Sequence, residues 1–153
     1  VGGTIISAES TGSVGIGTAS PRAVLDIEGS AKFKTYSEYV QTLSNSAGVV
    51  EIDLAKAQSF TLTVNSAVSQ FNLLNPPTGS TTFTLKILQG STAYSVGIDT
   101  FKDNGGSTIP VYWPGGGVVP IVTPVASKTD IYSFITFDGG SSLFGVIGGQ
   151  NFA

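Results

Sequence analysis

The chain contains neither His nor Cys. It therefore lacks the usual general base and imidazole metal ligand, and also the thiol nucleophile. Any chemistry falls to carboxylates, hydroxyls and aromatic rings. Asp130 and Asp138 form a conceivable carboxylate pair of the kind that cleaves glycosides. Both, however, lie beside strand ends and turns, where Asp ordinarily accepts hydrogen bonds from the backbone. The run Asp99-Thr100-Phe101-Lys102-Asp103-Asn104-Gly105 gathers oxygen donors without the alternating spacing and terminal Glu of a calcium loop. Its Asp-Asn-Gly-Gly core has the composition of a turn. Gly115-Gly116-Gly117 lacks the Lys and the helix start of a phosphate loop. The expectation is a protein that is not an enzyme and has no catalytic residues, no cofactor and no metal site.

Non-covalent recognition has better candidates. Tyr94, Tyr112 and Trp113 are flat rings that could form a platform for a surface sugar, giving stacking area at low entropic cost. For Trp113 the favoured alternative is a plug at the edge of the core, with Pro114 and the glycines turning the chain away. Tyr94 stands next to a turn and is the better exposed candidate. Asn104 and Ser107 lie on a long loop, where polar contacts with a partner are readily made. These five residues are the receptor-binding candidates.

The elements that position them are strands. Of 153 residues, 11% are charged, against about 25% in a typical soluble protein, and 20 are Gly. Ser and Thr are abundant and no window carries a helical period, so strands and turns are favoured. The net charge is −3 with scattered basic residues. A nucleic-acid groove needs a clustered positive field, and none is present. No apolar run of about 20 residues suggests a membrane-spanning helix, and no secretory leader pattern is evident. A start at Val1 without Met suggests a fragment of a longer polypeptide or a processed chain.

A division falls near residues 45–47, giving a thin Gly/Ser-rich segment (1–45) and a larger domain (46–153). In the first, Val14-Gly15-Ile16-Gly17 alternates apolar residues with glycine, a pattern that suits close backbone approach. Leu25 and Ile27 alternate with Asp26 and Glu28. A turn at Gly29-Ser30-Ala31 would set Ile27 opposite Phe33 and pair Glu28 with Lys32, Asp26 with Lys34, and Arg22 with Glu38. In the second, Val50-Ile52-Leu54, Phe60-Leu62-Val64 and Phe83-Leu85-Ile87 show the two-residue period of half-buried strands. A turn at Asn65-Ser66 would bring Phe60 opposite Phe71. Strands follow at 130–137 and 143–147, joined by a hairpin turn at Asp138-Gly139-Gly140. Short strands separated by turns predict an antiparallel β-sandwich or jelly roll.

The segment Val14 to Gly29 resembles the repeat in shafts of tailed-bacteriophage fibres. Further along, Tyr112-Trp113-Pro114-Gly115-Gly116, Pro120, Thr129-Asp130-Ile131-Tyr132-Ser133-Phe134, Asp138-Gly139-Gly140, Phe144-Gly145 and Gly149-Gln150-Asn151-Phe152 resemble the C-terminal tip domain of such fibres. With Glu51-Ile52-Asp53-Leu54 and Phe60-Thr61-Leu62, the similarity covers roughly residues 48–153. One departure is Leu143-Phe144, where many relatives carry Trp or Tyr before the glycine.

The resemblance implies an all-β homotrimer with a β shaft and a β-sandwich tip, in which Val14, Gly15, Ile16, Gly17, Leu25 and Ile27 pack around the threefold axis. It implies a virion protein, assembled in the host cytoplasm and carried on the particle surface. Such a protein attaches without covalent chemistry to a host polysaccharide or protein. Its partners would be its own copies and other virion proteins, with no nucleic acid and no membrane insertion. A head-decoration or neck-fibre role is the alternative, and a depolymerase ranks last.

Overall fold

The computed structural model describes residues 6–8 and 12–153, which divide into two compact units meeting at Ser37/Glu38. The boundary lies before residue 45 because residues 40–43 pair within the larger sheet of the second unit.

The first unit carries β1 (Ser7–Ala8), β2 (Val14–Ile16) and β3 (Leu25–Ile27) in a three-stranded sheet. β1 runs antiparallel to β2, and β2 runs parallel to β3 with Val14 opposite Leu25 and Ile16 opposite Ile27. The chain must reverse twice between β2 and β3. Gly17 permits the first turn: its φ is +79°, and a Cβ there would lie 3.0 Å from the Glu28 carbonyl oxygen.

The expected 22–28/32–38 hairpin is absent among the described residues. Its charges are satisfied elsewhere. The Arg22 backbone N–H and Nε donate to Asp26 Oδ2 at 2.8 and 2.9 Å, and Nη2 donates to Glu28 Oε2 at 3.1 Å. Arg22 thus closes a local loop and leaves neither acid for Lys32 or Lys34. The same hydrogen bonds hold the Asp26 carboxyl at about 2.

The second unit begins with β4 (Val40–Leu43), β5 (Asn45–Ser46), β6 (Val49–Asp53), β7 (Ser59–Val64), β8 (Gln70–Leu74) and β9 (Thr81–Gln89). It continues with β10 (Phe101–Lys102), β11 (Thr108–Ile109), β12 (Val111–Tyr112), β13 (Thr129–Thr136) and β14 (Leu143–Phe152). One sheet has the order β11-β10-β8-β6-β5 and the other β12-β14-β13-β9-β7-β4. From β4 to β10 the chain changes sheet at each main strand. Consequently β4, β7 and β9 stack in parallel in one sheet, and β6, β8 and β10 in the other. Only β5/β6, β10/β11, β9/β13 and β13/β14 run antiparallel.

This corrects the antiparallel expectation, and Asn45 supplies the reason. Its Nδ2 donates to the carbonyls of Ser66 and Ala67 at 3.2 and 2.9 Å, while its Oδ1 accepts the Gly48 N–H at 2.9 Å. The Asn65-Ser66 connection is therefore held as a crossover rather than a hairpin. Phe60 and Phe71 lie in different sheets instead of opposite each other in one.

The core is the apolar face of each strand. Val50, Ile52, Leu62, Val64, Leu85 and Tyr132 are fully enclosed. Phenylalanines join the two sheets: Phe101 lies 5.2 Å from Phe71 in its own sheet and 5.0 Å from Phe134 in the other, and Phe134 stacks on Phe83 at 5.1 Å. Each such ring contributes roughly 1.5–3 kcal/mol by burial. After β12, Pro114 leads into Gly115, Gly116 and Gly117 with φ of 72°, 84° and 84°, a left-handed turn. A Cβ at Gly116 meets nothing within 4 Å, so only the backbone conformation resists substitution. Gly116→Ala is expected to lower stability by about 1–2 kcal/mol, measured by urea unfolding.

Candidate functional site

Tyr94 stands on a groove of about 420 Å³ whose apolar wall includes Val96, Val119, Pro120 and Ile121. Two buried polar residues build it. Gln89, at the end of β9, takes the Tyr94 N–H on Oε1 at 3.0 Å and donates through Nε2 to the carbonyls of Tyr94 and Thr123 at 2.9 and 3.2 Å. One amide thereby ties together the segments carrying both walls.

Asp130, near the start of β13, anchors the far wall. Its oxygens accept the Thr123 N–H and hydroxyl at 2.7 Å each, the Tyr132 hydroxyl at 3.1 Å, the Gln150 amide at 3.2 Å and the Asn151 N–H at 2.8 Å. Burial disfavours its charge, but the hydrogen bonds from Thr123, Asn151 and Gln150 outweigh that and hold the carboxyl below the usual carboxylate range. Burial beside this carboxylate pushes the Tyr132 phenol up, so it remains a neutral donor. Tyr94 itself keeps 38% of its surface exposed. The result is a preformed apolar groove with an accessible ring, suited to binding.

Asn104 belongs to a second groove, of about 400 Å³, with Leu73, Pro76, Gly139, Gly140 and Ser141. Asp103 shapes this loop by accepting the N–H groups of Gly105 and Ser107, each at 2.8 Å. Its oxygen is thus occupied in an ordinary Asx turn, with Ser107 exposed at the turn's end. Across the groove, Asp138 accepts the Thr136 hydroxyl at 2.8 Å, the Ser142 N–H at 3.0 Å and the Ser142 hydroxyl at 2.6 Å. The side-chain bonds from Ser142 and Thr136 hold its carboxyl at about 2. Asp130 lies within the strand running from Thr129 to Thr136, and Asp138 stands two residues beyond its end. The six strand steps from Asp130 to Thr136 alone span about 20 Å, so the two acids cannot act as a pair on one glycosidic bond.

No protein-family model, curated protein or solved structure matches the chain.

The aromatic platform does not assemble. Tyr112 and Trp113 are adjacent, and strand alternation sends them to opposite sides of the sheet. Trp113 is buried, edge-on to Tyr132 and Phe134 at 6.1 and 5.7 Å. Its removal from the surface excludes direct contact with a receptor. Tyr112 instead meets Phe144 on the outward side, at 5.4 Å, and Phe144 meets Phe137 at 5.9 Å. The recognition candidates therefore occupy three separate places.

A third groove, of about 330 Å³, passes between β4 and β6 and is lined by Gln41, Ser44, Ser46, Glu51, Asp53 and Lys56. The Lys56 Nζ lies 3.2 Å from Asp53 Oδ2. Nothing in the spacing of these residues marks them in the sequence, because two strands of different sheets bring them together. Among the described residues no group of three or more acidic, His or Cys side chains gathers as a metal site, and no helix is long and apolar enough to cross a membrane.

Proposed function

We propose that the chain is the tip portion of a phage tail fibre: a homotrimeric virion protein that binds a host surface without covalent chemistry. The resemblance in order and spacing from Tyr112 to Phe152 supports the family. Two sheets around one shared core support a sandwich-like tip. In the single chain, Phe33, Tyr36 and Tyr39 are largely exposed along a segment without strand pairing, which supports association of copies. The half-buried Val14, Ile16 and Ile27 and the exposed Leu25 are the corresponding candidates in the first sheet.

The observation that carries the attachment reading is the Tyr94 groove, whose walls are clamped by buried Gln89 and Asp130 while its ring faces solvent. Such preorganisation lowers the entropic cost of binding. Tyr is also a residue type that concentrates binding energy.

The test is binding of the labelled full chain to a panel of bacterial strains, with Tyr94→Ala alongside. Loss of about tenfold in affinity on a strain that retains the wild type is the expected result, equivalent to roughly 1.4 kcal/mol. Equal binding by both proteins removes the groove from the attachment site. Antibody labelling at the head instead of the tail tip assigns the chain to a head-structural role.

A further inference from the structure

Asn104-Gly105 is the single place in the chain where Gly follows Asn. An Asn side chain carries an electrophilic carbon, Cγ, one ring closure away from the backbone nitrogen of the next residue. Gly at that next position has no side chain to crowd the approach. Both residues are exposed on the turn between β10 and β11. The Asn104 carboxamide has no hydrogen-bond partner among the described residues. Beyond its chain neighbours, a Cβ at Gly105 would meet within 4 Å only Asp103 Oδ1, at 3.3 Å, and Asp103 Cγ, at 3.9 Å.

The other asparagines are protected from the same closure. Asn45 is engaged through both ends of its amide. Asn75 precedes Pro76, which has no N–H to lose. Asn65, Asn72 and Asn151 precede Ser66, Leu73 and Phe152, whose side chains hinder the ring. Asp138-Gly139, on the far side of the same groove, is also held. The Gly139 N–H donates to the Gly79 carbonyl at 3.2 Å, and the Asp138 carboxylate is occupied by Thr136 and Ser142.

We propose that Asn104 is a self-modification site, converted to an aspartyl or isoaspartyl residue through a five-membered imide with Gly105. The Gly105 nitrogen bonds to Asn104 Cγ, the Cγ–Nδ2 bond breaks, and ammonia leaves with the proton that the nitrogen gave up. Water then opens the ring at either carbonyl, its hydroxyl going to the carbon and its proton to the nitrogen. Nothing is oxidised or reduced. The nucleophile is the deprotonated nitrogen, and Asp103 controls it. Asp103 Oδ1 accepts the Gly105 N–H at 2.8 Å, and a carboxylate there opposes the anion that loss of this proton would leave. Asp103 is therefore a positioning residue that slows the reaction. The product replaces a neutral amide with a carboxylate in the groove that Asn104 lines with Leu73, Pro76 and Ser141, adding one negative charge to the chain's −3. This inference stands apart from the attachment reading, which rests on the Tyr94 groove.

The test holds the full chain at mildly alkaline pH, samples it over weeks, and compares the mass of the tryptic peptide Asp103–Lys128 with that of a zero-time digest. The expected result in wild type is a gain of about 1 Da at Asn104, at a rate rising about tenfold per pH unit, as amide deprotonation requires. Asp103→Ala should speed it roughly fivefold, the equivalent of one net hydrogen bond. Asp103→Ser, whose hydroxyl can accept the same N–H, should fall between the two. Asn104→Gln should abolish the gain, because its ring needs one more member. A peptide unchanged in both wild type and Asp103→Ala overturns the site. Equal rates in wild type, Asp103→Ala and Asp103→Ser overturn the control assigned to Asp103. Both outcomes are separate from the result of the Tyr94→Ala binding test.

Discussion

Asp130→Ala should cost about 3 kcal/mol or more of unfolding free energy, the largest loss expected from removing one polar group in this protein, because it strands several buried donors at about 1–3 kcal/mol each. The carboxylate is 1% exposed and gathers donors from Thr123, Tyr132, Gln150 and Asn151. Alanine leaves those donors facing an empty, enclosed space, and unsatisfied buried donors cost far more than a formed bond returns. Asparagine does not rescue the site, because its NH₂ would face N–H donors.

The effect is pH-dependent, with a definite sign. The folded-state carboxyl lies below its unfolded value. The linked stability is therefore complete above about pH 4 and falls as pH drops through the depressed folded value. Urea unfolding of wild type and Asp130→Ala should show the full gap at pH 6 and a narrower one toward pH 2. The Thr123 segment also forms one wall of the Tyr94 groove, so the variant should lose the attachment proposed for that groove together with stability.

Trp113→Ala should cost a similar amount, about 3–5 kcal/mol, through lost burial and an unfilled cavity. The indole lies over Gly145 in β14 so closely that a Cβ there would fall 2.5–2.7 Å from three ring carbons. This predicts strong coupling between the two positions. Gly145→Ala alone should destabilise by about 1–3 kcal/mol through overpacking. In the Trp113→Ala background the added methyl should cost much less, because it enters the vacated space, so the two changes will not add. Trp113→Phe should be milder than alanine. It keeps a ring, and it removes an indole N–H that is buried with no hydrogen-bond partner among the described residues. As Trp113 is the single Trp, its fluorescence follows unfolding of the wild type and of Gly145→Ala, and circular dichroism follows the variants that lack it.

Which face of a strand is buried was legible in the sequence; which strand lies next to it was not. Val50 and Ile52, Phe60 and Leu62, and Phe83 and Leu85 all point into the core as their alternation requires. That period is the same whether a strand's neighbour is parallel or antiparallel. The decision lay with Asn45, whose side chain reaches carbonyls 21 and 22 residues away. The charge register proposed for Arg22 to Glu38 failed for a related reason: a long guanidinium reached acids on its own side of the loop before any acid met a lysine across a hairpin. In the candidate groove, the exposure of Tyr94 was readable from the turn beside it. Gln89 was invisible because it acts through carbonyls of Tyr94 and Thr123. The separation of Tyr112 from Trp113 follows from alternation alone and needed only the knowledge that the backbone stays extended through both.

The repeated change of sheet from β4 to β10 bears on how the protein reaches its native state. Neither sheet can be completed first, since each parallel neighbour arrives only after the chain has laid down a strand on the opposite side. Among the long strands, only β13 and β14 are both consecutive through a short connection and paired in the same sheet, which makes them the natural first contact. Everything else waits on loop closures whose entropy is lost before any burial compensates for it, the regime of folding in milliseconds to seconds. A chain built in this way has few productive half-folded forms. Loss of one rung should release both layers together, giving a single sharp transition for the C-terminal unit.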